Sequence, residues 1–179
     1  KGIVTAYGAT SVLDPCAGWG GRMLGTLAAG AAYTGCEPDP HTFRALVQIA
    51  SDSAIPEVCR ARVTLHNEPA ERVLPTLPPA SYDMVLTSPP YFNMELYTAG
   101  PQSTALYKTW DEWKVKWLTP VIKAALRALK PSGRSCWSVK NIKTDACYPL
   151  ADVVKEIHKA EGWNLERAVS LTGSARPGA

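Results

Sequence analysis

Short apolar runs alternate with helix-patterned stretches along the chain, and the first four runs end in turns rich in Gly, Pro or acidic residues. Parallel strands cannot be joined by tight hairpins, so such alternation is the mark of strand–crossover–strand units. It predicts a three-layer α/β domain on a mostly parallel sheet. The expected strands are Ser11–Asp14, Ala31–Cys36, Ala61–His66, Tyr82–Thr87, Ser135–Val139 and Asn164–Leu171. Helices are expected over Arg22–Ala29 and Leu150–Ala160, and another opens at Pro40 with Asp39 as its N-cap. Phe43, Leu46, Val47 and Ala50 give that helix its buried stripe. From Trp110 to Leu129 apolar residues recur at Trp110, Trp113, Trp117, Val121, Ala125 and Leu129. Thr119-Pro120 must kink this region or restart it, with Thr119 as a new cap.

Composition narrows the class. At 46% apolar and 20% charged, the 179 residues suit one globular domain spanning 1–179. No apolar run approaches the ~18 residues of a membrane span, which excludes the membrane class. Five scattered cysteines (Cys16, Cys36, Cys59, Cys136, Cys147) form no Cys-x-x-Cys pair, and the three histidines have no metal-ligand spacing. A disulfide scaffold and a metal centre are therefore not expected, and reduced thiols in a cytoplasmic protein are. The net charge of +3 conceals a basic segment: nine Lys and Arg from Lys108 to Lys143 face only Asp111 and Glu112. On charge alone, a solvated helix face outweighs a phosphate-binding surface. The indoles of Trp110, Trp113 and Trp117 share one side of a helix, which reads as core before nucleic-acid contact.

Three turns carry chemistry. Asp14-Pro15-Cys16-Ala17-Gly18-Trp19-Gly20 lies between a strand and a helix, where glycines let the backbone approach a ligand. Its spacing is not the G-x-G-x-x-G of phosphate binding. Glu37, at the end of the second strand, is placed to accept hydrogen bonds from two ribose hydroxyls. Thr87-Ser88-Pro89-Pro90-Tyr91-Phe92 follows the fourth strand. A Pro-Pro pair donates no backbone hydrogen bond and holds its loop rigid. The Ser88 hydroxyl and Pro89 carbonyl remain as acceptors beside the Tyr91 ring, an arrangement suited to a planar base with an exocyclic amine.

Together, Asp14-Pro-x-x-Gly18-x-Gly20, Glu37 and Thr-Ser-Pro-Pro-Tyr91 resemble the DNA amino-methyltransferases that use S-adenosylmethionine. The Ser-Pro-Pro-Tyr form is similar to the cytosine-N4 branch, with adenine-N6 the alternative. An RNA or protein amine methyltransferase, or a silent cofactor-binding subunit, stands behind both. The resemblance implies a Rossmann-like class I methyltransferase fold. It places Asp14, Pro15, Ala17, Gly18 and Gly20 on the methionine part of the cofactor, Glu37 and Pro38 at the ribose, and Asn67 or Glu68 at the adenine edge. Ser88, Pro89, Pro90 and Tyr91 are then the catalytic residues, with Tyr91 stacked on a base flipped out of DNA. Leu129-Lys130-Pro131-Ser132-Gly133 resembles the usual turn before the fifth strand. The long loop from Phe92 to Lys108, including Asn93, is the expected route to substrate. Cys16 sits in the cofactor turn and not the catalytic loop, so it reads as a buried thiol and not a nucleophile.

The family sheet has seven strands and a helix before the first; six strands are expected here and that helix is missing. No target-recognition region fits between Gly20 and Ser88 or after Leu171. The chain, opening on Lys1, thus reads as a catalytic core trimmed at its termini, or as one that borrows specificity from a second copy or a separate partner.

Overall fold

β1 (Ser11–Asp14) sits at the centre of the sheet and alternates its side chains between two cores, as the period of two requires. Val12 packs with Met84, Val4 and Ala31, whereas Leu13 packs with Val85 on the opposite face. The computed structural model describes residues 1–92, 103–143 and 147–170. A short helix, α1 (Gly2–Ala6), precedes β1. No helix is expected there from the sequence, because its five residues offer only one buried position, Val4.

From β1 the chain winds outward through α2 (Gly21–Leu27), β2 (Ala32–Cys36), α3 (Pro40–Ser51), α4 (Glu57–Arg60) and β3 (Val63–His66). It then returns through α5 (Ala70–Val73) to lay β4 (Tyr82–Thr87) on the other side of β1. Beyond α6 (Ser103–Leu106), α7 (Trp110–Trp113) and α8 (Thr119–Ala128), β5 (Leu129–Trp137) completes the order β3-β2-β1-β4-β5. All four pairings are parallel. The order reverses between β1 and β4, and the crevice beyond the carboxyl ends of those strands is where open α/β sheets bind ligands. A two-stranded hairpin, β6 (Ile142–Lys143) with β7 (Cys147–Tyr148), leads into α9 (Leu150–Ala160).

Several expected elements shift for identifiable reasons. Asp39 does cap α3, accepting hydrogen bonds from the Thr42 N–H and hydroxyl at 2.8 Å each. The stripe of α3, however, is Thr42 and Leu46 with Ile49 and Ala50 behind them, and Val47 is 41% exposed. Phe43 and Val47 instead line an open groove of about 400 Å³ with Arg60, Val63 and Leu65.

Thr119 neither caps nor breaks the long helix. Between α7 and α8 the backbone widens into a π-helical turn over Lys114–Leu118. The Thr119 N–H and its hydroxyl both donate to the Lys114 carbonyl, the latter at 2.8 Å. This widening takes in Pro120, which has no N–H to give. β5 starts at Leu129, earlier than expected: Tyr82 faces Leu129 but Met84 already faces Arg134, so the Lys130–Gly133 segment bulges from the edge. A Cβ on Gly133 would lie 2.9 Å from the Lys130 carbonyl oxygen, which is why glycine stands there.

The expected strand over Asn164–Leu171 does not form among the described residues: 163–170 run without strand pairing, with Leu165 and Val169 exposed. β-favouring side chains cannot make a strand where no ladder partner receives them. The sheet therefore has five strands among the described residues, against the six expected.

Candidate functional site

The turn after β1 is organised by a carboxylate that faces inward. Asp14 is fully buried, and five donors converge on its two oxygens. These are Arg22 Nε (2.7 Å), Tyr33 Oη (2.9 Å), Thr87 Oγ1 (2.8 Å), the Cys16 N–H (3.1 Å) and, more distantly, Arg22 Nη2 (3.4 Å). Arg22 also donates to the Cys16 and Ala17 carbonyls, tying the start of α2 to the turn. A buried charge is tolerable only when paired and hydrogen-bonded, as this one is. Burial, then the Asp14 charge, pushes the Cys16 thiol and the Tyr33 phenol up, so both stay protonated. Cys16 is thus a thiol and not a thiolate nucleophile.

Above this hub the backbone turns through two left-handed glycines, Gly18 (φ 56°) and Gly20 (φ 81°). A Cβ on Gly20 would stand 2.9 Å from Leu46 Cδ2, so the turn packs on α3. At Gly18 a Cβ would meet nothing nearer than the Cys16 oxygen at 4.0 Å, and the space beside it is open. Pro15 and Ala17 are buried beneath, and Trp19, between the glycines, is 77% exposed.

Glu37 reaches across to this turn from the end of β2. Its Oε2 accepts the Gly18 N–H at 3.1 Å and its Oε1 the Asp39 N–H at 2.9 Å. A carboxylate has about four acceptor sites, so both oxygens keep capacity for further donors. Burial pushes the Glu37 carboxyl above its ordinary 4.5, opposed by these two N–H bonds. Asn67, at the end of β3, donates from Nδ2 to the Glu37 carbonyl (2.9 Å) and to the Pro38 carbonyl (3.4 Å). Gly18, Glu37, Pro38 and Asn67 therefore form one hydrogen-bonded rim. Glu68 is exposed beyond it.

On the other side of the switch point, Thr87 ends β4 with its hydroxyl on Asp14 and its carbonyl accepting the Ser138 N–H at 2.8 Å. Ser88 follows, half-buried, and its Oγ donates to the Ser138 carbonyl at 3.2 Å. A hydroxyl that has given away its one proton offers only lone pairs to an incoming group. Pro89 is buried while Pro90 and Tyr91 are half-buried, and the Lys140 ammonium stands over the Tyr91 ring, 5.9 Å from its centroid. Ser138 carries no signal in the sequence and Lys140 shows there only as one of nine basic residues; the β4–β5 pairing brings Ser138 to Ser88 and Lys140 to Tyr91.

The remaining expected residues separate. Phe92, expected at the substrate, is 5% exposed and packs against Trp110, Trp113 and Tyr148 at 5.3–5.9 Å between centroids. It is a core residue. Trp113 and Trp117 are buried and stacked at 5.0 Å, so the indole stripe is core as the helical spacing implies. Lys108 is exposed, and Asn93 lies outside the described residues. Among the described residues no His, Cys, Asp and Glu group is arranged to hold a metal, and no helix is long and apolar enough to cross a membrane.

No protein-family model matches the chain, and no curated protein matches its sequence. Solved structures do match in fold. Precorrin 8W decarboxylase of Methanobacterium thermoautotrophicum aligns with a TM-score of 0.61 at 14% identity, over 90% of this chain and 69% of that one. A SAM-dependent methyltransferase of Methanosarcina mazei aligns at 0.50 and 18%, over 73% and 53%. An SAH-bound methyltransferase of Podospora anserina aligns at 0.50 and 16%, over 73% and 46%. The chain thus spans about half the length of these two methyltransferases. The fold is the Rossmann-like methyltransferase fold; a fold hosts many reactions, so the reaction must be argued from the site.

Proposed function

We propose that the chain uses S-adenosylmethionine to methylate an exocyclic amine of a nucleic-acid base, the N4 amine of cytosine in DNA first. The observation that carries the reading is the Ser88 hydroxyl, which donates its proton to the Ser138 carbonyl and so keeps only acceptor capacity for an incoming group. The residues around the β1 turn fit the cofactor. The open side of Gly18 admits a ligand against backbone, and Glu37 keeps acceptor capacity for two hydroxyls. Asn67, at the neighbouring strand end, suits an adenine edge. Asp14, with its oxygens taken by protein donors, holds the turn in shape from beneath.

When bound, S-adenosylmethionine supplies a methyl group on a positively charged sulfur, ready for in-line displacement. The chain's own residues prepare the nucleophile. An amine conjugated with a base ring is a poor nucleophile, because its lone pair is delocalised. Hydrogen bonds from its two protons to Ser88 Oγ and the Pro89 carbonyl draw the nitrogen toward tetrahedral geometry and free the lone pair. Tyr91 fixes the base plane by stacking, and the Pro89-Pro90 pair keeps the acceptors rigid. After alkylation the nitrogen is cationic and its proton acidic, so no general base need act beforehand. Rate enhancement by such a site comes from positioning and preorganised electrostatics.

The reading is tested by incubating the protein with DNA and methyl-labelled S-adenosylmethionine, digesting to nucleosides and identifying the labelled one by mass spectrometry. N4-methylcytosine is the expected product. N6-methyladenine would keep the mechanism and correct the base. Label on no nucleoside, with the cofactor bound, would overturn the reading.

A further inference from the structure

The nine basic residues between Lys108 and Lys143 do not act as one patch. Lys114, Lys116, Lys123, Lys130 and Arg134 form ion pairs with Asp111, Glu112, Glu161, Asp83 and Glu166 at 2.7–2.9 Å. Arg127 donates to the Leu74, Pro75 and Leu77 carbonyls. Lys108 and Lys140 are exposed and make no ion pair among the described residues, and of the two Lys140 rests its ammonium over the Tyr91 ring. The segment that carries it is pinned to the catalytic loop, through Ser138 N–H to the Thr87 carbonyl and Ser88 Oγ to the Ser138 carbonyl. A cation held this way, within a few residues of the amine acceptors, is positioned for the phosphate next to the base being methylated.

Resting on the function proposed above, we infer that Lys140 is a substrate-positioning residue that exchanges partners when a nucleotide enters. Without substrate its ammonium covers one face of the half-buried Tyr91 ring. An exposed cation–π contact is weak, so a planar base displaces it and stacks on that face. The displaced ammonium, still tethered beside Ser138, pairs with the backbone phosphate adjoining that base. Lys140 thus reads no sequence; it registers the base over Ser88 through the phosphate.

Each neutralised phosphate contributes a fixed increment to the salt dependence of binding, about 0.7 in the slope of log K against log salt for single strands. The test measures binding of a fluorescent single-stranded oligonucleotide by anisotropy across a salt series, for wild type, Lys140→Gln, Lys140→Arg and, as a paired surface control, Lys116→Gln. The slope should fall by about 0.7 in Lys140→Gln, return in Lys140→Arg, and stay unchanged in Lys116→Gln. KM for the oligonucleotide should rise in Lys140→Gln more than kcat falls. A wild-type slope retained in Lys140→Gln, while wild type binds and methylates, overturns this inference alone. Failure of wild type to bind the oligonucleotide at all overturns the parent reading.

Discussion

Asp14 and Glu37 are both carboxylates at the carboxyl ends of neighbouring strands, yet their surroundings give them different work. Asp14 is fully buried and surrounded by donors from α2, β2 and β4, so its charge is consumed in joining three elements. Burial and that charge also raise the Cys36 thiol to about 12, which keeps a third neighbour neutral. Glu37 is only half-buried and holds just two backbone N–H groups. Removing its carboxylate should cost about 1–3 kcal/mol of cofactor affinity, the usual loss for a charged hydrogen-bond acceptor. Titration calorimetry of Glu37→Ala with S-adenosylhomocysteine checks this, and an unchanged affinity would take Glu37 out of the site. The acidic residue after β2 was legible from its place in the chain. The inward role of Asp14 was not, because Arg22, Tyr33 and Thr87 meet it only once α2, β2 and β4 have packed.

At the scale of elements, α9 is fastened to β5 by a hydrogen-bond chain. Trp137 Nε1 donates to Ser135 Oγ (2.9 Å), and Ser135 Oγ lies 2.8 Å from His158 Nε2. His158 Nδ1 is 2.7 Å from the Val154 carbonyl. Since that carbonyl can only accept, Nδ1 carries the ring proton and Nε2 accepts from Ser135. Burial pushes the imidazole below its ordinary 6.5, so the unfolded chain binds a proton more readily than the folded one. The stabilisation is complete above 6.5 and is lost as pH falls through the window beneath it, at no more than about 1.4 kcal/mol per pH unit for one proton. Urea unfolding between about pH 7.5 and 5.5 should show a shallower pH slope in His158→Gln than in wild type. Equal slopes would mean that this histidine does not couple α9 to acid.

Elements with strong local punctuation were readable. β4 is framed by Ala80-Ser81 and the Pro-Pro pair, and α9 by Pro149 and Gly162; both match their expected bounds. The π-helical turn was hidden because a helical apolar period does not say how Pro120 will be taken in. The β6–β7 hairpin has two residues per strand, too few for any alternation to register.

Across the whole molecule the switch point divides the labour. In the proposed reading the β1–β3 half would supply the cofactor rim of Gly18, Glu37 and Asn67, and the β4–β5 half Ser88 with Ser138 and Lys140 beside it. Asp14, bonded to Thr87, joins the two at the carboxyl ends of the paired strands β1 and β4. The order of motifs along the chain made this division legible, since ligand sites gather at strand ends in such sheets. The role of the basic segment was legible only in part, because charge counts do not show which lysines already have partners. If the halves work separately, damage to the amine acceptor must spare the cofactor. The decisive measurement is the single-turnover rate of labelled methyl transfer to a cytosine-bearing single strand, for wild type and Ser88→Ala, beside the S-adenosylhomocysteine affinity of each. Ser88→Ala should lower the rate by about 10²–10³, as loss of one preorganised hydrogen bond does elsewhere, with cofactor affinity unchanged. A Ser88→Ala protein that transfers methyl at the wild-type rate would contradict the account.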